Sequence, residues 1–173
     1  MISIRSYRLH EGRMIASRKS ALDELWLDYG ITEQGPLDLD ELFGRPAPCY
    51  LEIGFGMGHT LLEMARKHPE NNYLGVEVYL PGVGQLLLDL REMGITNVRI
   101  DRRDVMEVLA LLPARSLRGA LFFPDPWPKQ RHQKRRLVQA PFFRKIAARA
   151  GTRRPFSCGY RLGWLHPANT RDH

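Results

Sequence analysis

The stretch Tyr50-Leu-Glu-Ile-Gly-Phe-Gly-Met-Gly58 constrains the fold of this chain more than any other part of it. A short apolar run of strand character enters a turn with three alternating glycines, and residues Thr60 to His68 continue with helical periodicity. Glycine reaches positive φ without steric cost and lets a ligand approach the backbone, while the helix that follows presents unpaired N–H groups at its start. Strand, glycine turn and helix in that order predict an open, mostly parallel α/β sheet with helices on both faces, binding its ligand at the carboxyl ends of the strands. The spacing is G-x-G-x-G. Position 59 is His, so the G-x-G-x-x-G pattern of dinucleotide-binding turns is absent.

Two further strands support this layout. Tyr73 to Val78 is apolar and ends in Glu77, 25 residues after Glu52. An acid at the end of a second strand is placed to accept from the ribose hydroxyls of a bound nucleoside. A third strand, Asn97 to Ile100, is followed by Asp104, placed to reach the adenine amino group of the same ligand. Before the sheet, Leu22, Leu25, Trp26 and Tyr29 recur at helical spacing and predict one helix over Ser20 to Tyr29, with Trp26 in the core. Thr32 to Pro48, with three prolines, is expected to be a loop containing a short acidic turn. Leu86-Leu-Leu88 is expected in the core of a helix.

Leu121-Phe-Phe-Pro-Asp-Pro-Trp-Pro-Lys129 carries the chemistry. The apolar strand starting at Gly119 must stop where Pro124 and Pro126 fix φ and remove two N–H donors, which presents Asp125 on a stiffened loop. Trp127 and the basic run Arg131-His-Gln-Lys-Arg-Arg136 follow at once. A carboxylate, an aromatic and a cluster of cations suit a site that stacks a base, bonds its edge and holds its phosphates. Taken alone, the same residues would more readily make a solvated Pro-Asp-Pro turn followed by the start of a basic helix.

With these motifs together, the chain resembles the bacterial tRNA (guanine-N7)-methyltransferases that use S-adenosylmethionine, over roughly Arg5 to Arg149. The resemblance rests on Glu52 to Gly58, on Tyr73 to Val78 with Pro81-Gly-Val-Gly84, on Asp104, and on Leu121 to Trp127 with Lys129 and Arg131 to Arg136. It implies a Rossmann-like class I methyltransferase fold, with Glu52, Gly54, Gly56, Gly58, Glu77 and Asp104 as cofactor contacts. It implies Asp125 as the active-site carboxylate facing guanine. Lys129 would contact substrate, and Arg131, His132, Lys134, Arg135 and Arg136 would contact tRNA. No metal is implied. Guanine N7 carries a lone pair and no proton, so methyl transfer to it needs alignment and charge stabilisation and no general base.

The family's later Ala-Thr-Asp-Trp motif, whose acid holds substrate, is missing. Reading the implied codons one nucleotide later, with permitted synonymous third bases, turns Ala150 to Phe156 into Leu-Ala-Pro-Gly-Gly-Pro-Phe and Ser157 to Leu162 into His-Val-Ala-Thr-Asp-Trp. The last stretch therefore reads as out of frame after about Arg149. The expected organisation is an N-terminal arm and helix (1–48), a methyltransferase core (49–149) and an aberrant tail (150–173). The expected consequences are a sheet that stops at four strands, an unpaired edge along Ala120 to Phe123, marginal stability and poor activity.

Charge is unevenly spread. Residues 1–125 hold 14 Lys/Arg against 18 Asp/Glu, whereas residues 126–173 hold 12 against one. Seven cations between Lys129 and Lys145 have no acid among them, a footprint of phosphate binding. Arg5, Arg8 and Arg13 add a basic N-terminal arm. The two cysteines, Cys49 and Cys158, make no metal or disulfide framework, and no apolar run is long enough for a membrane span, so a cytoplasmic protein is expected. Two other functions compete: a non-catalytic RNA-binding remnant, and a Rossmann oxidoreductase, which the glycine spacing disfavours.

Overall fold

The computed structural model describes residues 14–122, 140–151 and 157–158. Its centre is a five-stranded, wholly parallel sheet in the order β3-β2-β1-β4-β5. The strands are β1 (Cys49–Ile53), β2 (Asn72–Val76), β3 (Val98–Asp101), β4 (Leu117–Phe122) and β5 (Ser157–Cys158). The chain steps outward from β1 to β3 and then returns to place β4 on the other side of β1. The order reverses there, and in open parallel sheets the carboxyl ends of the strands at such a reversal are where ligands bind.

Alternation along β2 shows why the sheet is buried on both faces. Tyr73 joins one apolar cluster, Leu74 the other, and Gly75 and Val76 repeat the pattern. One cluster gathers α1 (Ala16–Glu24), α4 (His59–Lys67) and α5 (Leu80–Glu92) through Ala21, Leu61, Ala65, Leu86, Leu87 and Leu90. The other gathers α3 (Leu39–Phe43), α6 (Val105–Leu111) and α7 (Ala140–Arg149) through Phe43, Val108, Leu109, Phe142 and Ile146. Phe122 at the end of β4 meets Phe142 edge to face, with ring centres 5.5 Å apart.

Four expectations from sequence require correction. The helix expected over Ser20 to Tyr29 starts earlier and divides at Leu25 into α1 and α2 (Trp26–Tyr29). The division lets Leu25 and Tyr29 stay buried while the second segment turns toward Gly30, whose carboxyl-side neighbour Ile31 bonds to Ile100. The expected acidic turn between Thr32 and Pro48 is the helix α3. The Asp38 side chain caps it by accepting from the Asp40 and Glu41 N–H groups at 2.9 and 3.1 Å, and Gly44 ends it at φ +67°. Trp26 is half-buried: it touches the core but also walls a surface pocket.

The fourth correction concerns the tail. The sheet does not stop at four strands, because Ser157 and Cys158 pair in parallel with Leu121 and Phe122. Gly151 also donates to the Leu117 carbonyl at 3.0 Å. A ladder requires only backbone groups, so a segment without apolar alternation still supplies two residues of cover for the β4 edge. Among the described residues no helix is long and apolar enough to cross a membrane, and no cluster of three or more metal-ligating side chains occurs.

Candidate cofactor cleft at the carboxyl edge of the sheet

The turn after β1 is built by its glycines. Gly54, Gly56 and Gly58 sit at φ +70°, +59° and +82°, in the left-handed region that side chains strain to adopt. Gly54 donates to the Val76 carbonyl at 2.8 Å, tying the turn to the end of β2, and Phe55 between them anchors in the core.

Glu77, the first residue beyond β2, locks this turn. One carboxylate oxygen accepts from Gly56 N–H at 2.8 Å, and the other accepts from Val78 and Tyr79 N–H at 2.8 and 2.9 Å. Three backbone donors on one carboxylate hold it in place against the turn. Behind the turn, the first turn of α5 approaches so closely that a Cβ on Gly82 would lie 1.9 Å from the Gly56 carbonyl oxygen. Within Pro81-Gly-Val-Gly84, Gly82 is therefore required by the glycine turn, and Gly84 by the close approach of Arg18 on α1.

Glu52 is the anomaly of the site. It lies on β1, is 1 % exposed, and neither carboxyl oxygen has a hydrogen-bond partner among the described residues. Burial first, and then the charge of Glu77, push its pKa up to about 8. It is thus a neutral acid at pH 7, held beside the glycine turn without compensation. A buried carboxyl of this kind is explained by a ligand group that donates or carries positive charge, such as an α-ammonium.

Asp104 lies on the loop after β3, at the same edge of the sheet. It caps α6, accepting from Met106 N–H at 2.8 Å. Two residues of this loop were not singled out from sequence. Asp101, fully buried, is gripped by Arg103 through both its oxygens (2.5–3.1 Å), and Arg103 reaches on to the Glu33 carbonyl at 2.8 Å. Arg102, exposed, stacks over the Trp26 indole at 4.4 Å from its centre. The adjacent basic pair beside Asp104 was the available signal for both.

Glu52, Gly54, Gly56, Gly58 and Glu77 are therefore brought together, with Asp104 on a neighbouring loop. Asp125, Lys129, Arg131, His132, Lys134, Arg135 and Arg136 lie outside the described residues.

Residues 46–152 match the family described as "Putative methyltransferase". The chain belongs to this family. It is 52 % identical over 147 residues to the tRNA (guanine-N(7)-)-methyltransferase of Hydrogenovibrio crunogenus, covering 83 % of this chain and 61 % of that protein. To the protein of the same name from Alkalilimnicola ehrlichii it is 52 % identical over 151 residues, covering 84 % and 64 %. The chain thus spans rather less than two thirds of the length of these curated relatives. Among solved structures it is similar to the 16S rRNA (adenine(1408)-N(1))-methyltransferase of Catenulisporales acidiphilia (TM-score 0.51, 18 % identity, 73 % of this chain and 59 % of that one). A mutant of that enzyme with its cosubstrate SAM superposes at TM-score 0.54 with 21 % identity, over 70 % of this chain and 56 % of that one. The fold is that of the Rossmann-like class I methyltransferases, and among the described residues its sheet ends at the two-residue β5.

Proposed function

We propose that this protein transfers a methyl group from S-adenosylmethionine to N7 of a guanine in tRNA, and that it does so in the cytoplasm. The observation that carries this reading is a nucleoside-type cleft, with Glu77 locked onto the glycine turn, in a chain half-identical to proteins of that name. The Pro124-Asp-Pro-Trp127 string follows β4 in the sequence, with one residue between them.

When bound, S-adenosylmethionine supplies an already activated methyl group on a sulfonium. The orphaned Glu52 and the close approach of Gly82 to Gly56 fit such a ligand. Glu52 would face the ammonium end, Glu77 would accept from ribose hydroxyls, and Asp104 would meet the base. Asp125 would accept from the N1–H and N2–H₂ edge of guanine, fixing its orientation and favouring the positive charge that develops on the purine. Lys129, Arg131, His132, Lys134, Arg135 and Arg136 would hold the RNA backbone and take no part at the methyl group. We assign the catalytic core to residues 49–149, preceded by an arm and helix and followed by a tail that the shifted frame would replace.

Glu77→Ala is expected to weaken S-adenosylhomocysteine binding by roughly 1–3 kcal/mol, the cost of hydrogen bonds lost from a charged group. Titration calorimetry on both proteins checks this. Tight NADH binding with no response to S-adenosylhomocysteine would overturn the cofactor assignment.

A second test uses a chain whose residues 150–173 are replaced by the shifted-frame sequence. That chain is expected to melt higher than the chain as given and to methylate tRNA guanine faster, because a longer fifth strand would cover β4. In it, Asp125→Ala is expected to abolish methylation while S-adenosylhomocysteine affinity stays within about twofold. Full turnover by the variant would remove Asp125 from the role given to it.

A further inference from the structure

A concavity at the same edge of the sheet is lined by none of the residues expected to contact the cofactor. A pocket of about 500 Å³ opens between α1–α2 and the loops after β2 and β3, lined by Lys19, Leu22, Asp23, Trp26, Leu80 and Arg102 among others. That volume falls in the range of sites that hold small organic groups. Leu80 stands three residues beyond Glu77 and Arg102 two before Asp104, so the pocket continues the carboxyl edge of the sheet outward on the β3 side.

The wall of the pocket is built on the Trp26 indole. Gly30 lies against one face of the Trp26 indole: a Cβ there would fall 2.2 Å from the ring-fusion carbons, so only glycine permits the contact. The Arg102 guanidinium lies over the same ring at 4.4 Å from its centre. Arg102 is exposed and makes no ion pair among the described residues, in contrast to Arg103, which Asp101 holds. The indole therefore fixes the plane of a guanidinium whose charge is otherwise unspent. Exposed Lys19 adds a second cation, and Asp23 is the one acid among the described residues of the lining. A guanidinium plane held rigid and open is a stacking platform for a nucleobase, and the neighbouring ammonium suits a phosphate.

We propose that this pocket receives an unpaired nucleotide of the RNA substrate, its base laid on Arg102 and its phosphate beside Lys19, next to the nucleotide that enters the cleft. The proposal rests on the RNA-modifying function proposed above, and it adds a contact on the β3 side, opposite the basic segment that follows β4.

The test measures tRNA binding by fluorescence anisotropy and S-adenosylhomocysteine binding by calorimetry on the same full-length preparations. Arg102→Ala is expected to weaken tRNA binding roughly five- to fiftyfold, the range of one lost stacking contact, with S-adenosylhomocysteine affinity within about twofold of the parent. Arg102→Lys, which keeps the charge and loses the plane, is expected to be nearly as weak. Lys19→Ala should lower the salt dependence by about one phosphate equivalent. Arg66→Ala, an exposed cation on α4, should leave tRNA binding unchanged. Unaltered tRNA affinity in Arg102→Ala, or parental affinity in Arg102→Lys, overturns the stacking role. A loss confined to S-adenosylhomocysteine would show that the pocket belongs to the cofactor. If the parent binds S-adenosylhomocysteine but no RNA, both this proposal and the RNA substrate fall, while the cofactor assignment stands.

Discussion

Gly82→Ala is expected to lower S-adenosylhomocysteine affinity by roughly a hundredfold or more and to destabilise the protein by about 2–3 kcal/mol, near the upper end of ordinary overpacking. The added methyl would sit 1.9 Å from the Gly56 carbonyl oxygen, well inside contact distance. Both partners are backbone, so no rotamer change relieves the overlap. Either the start of α5 or the glycine turn must shift, and the turn is where Gly56 donates to Glu77. Gly35→Ala is the matched control, since a Cβ there meets nothing within 4 Å and the backbone is not left-handed. Calorimetry and thermal melts on the pair decide the matter. If Gly82→Ala binds within about threefold of the parent, the approach of α5 does not shape the cleft.

The second large effect is a pH dependence of stability governed by Glu52. Its pKa is pushed up to about 8 in the folded chain, first by burial and then by Glu77, against an ordinary value of 4.5. The folded state therefore keeps a proton that the unfolded state releases between those two values. The favourable contribution of the protonated carboxyl is complete below about pH 4.5 and is lost progressively as pH rises to about 8. The full difference is on the order of 3–5 kcal/mol. Glu52→Gln replaces the neutral acid with a neutral isostere, so the variant should match the parent near pH 5 and exceed its stability at pH 8.5. Because other carboxylates titrate in both proteins, the difference between their denaturation curves across pH 5–9 is the quantity to follow. Parallel curves would mean that Glu52 is ionised and compensated in the fold. A bound α-ammonium should lower the Glu52 pKa, so S-adenosylhomocysteine binding at pH 7 should release a fraction of a proton, visible as a buffer-dependent binding enthalpy.

The parts of this protein legible in its sequence are those set by local pattern. Tyr50 to Gly58 announces a strand, a left-handed turn and a helix because apolar alternation, glycine and helical periodicity each act within a few residues. Glu77 follows a wholly buried strand, and its position at the sheet edge could be inferred from strand length alone. Even there the strand ends at Val76, one residue before the acid, because Glu77 turns its carboxylate back to three N–H groups. What could not be inferred depends on segments far apart in the chain. The break at Leu25 follows from where Tyr29 and Ile31 must pack against the sheet, and α3 exists because Leu39 and Phe43 find a buried surface once Asp38 has capped their first turn. The two-residue β5 arises because backbone groups pair without regard to side-chain pattern. Sequence marks Glu52 only as an acid in an apolar strand. That it is enclosed on both faces, deprived of partners and held neutral is decided by the helices that close over β1, since desolvation is a property of the assembled interior. The Trp26–Arg102 contact has the same origin: an indole at the start of α2 and a guanidinium just beyond β3 meet only when α2 docks beside that loop.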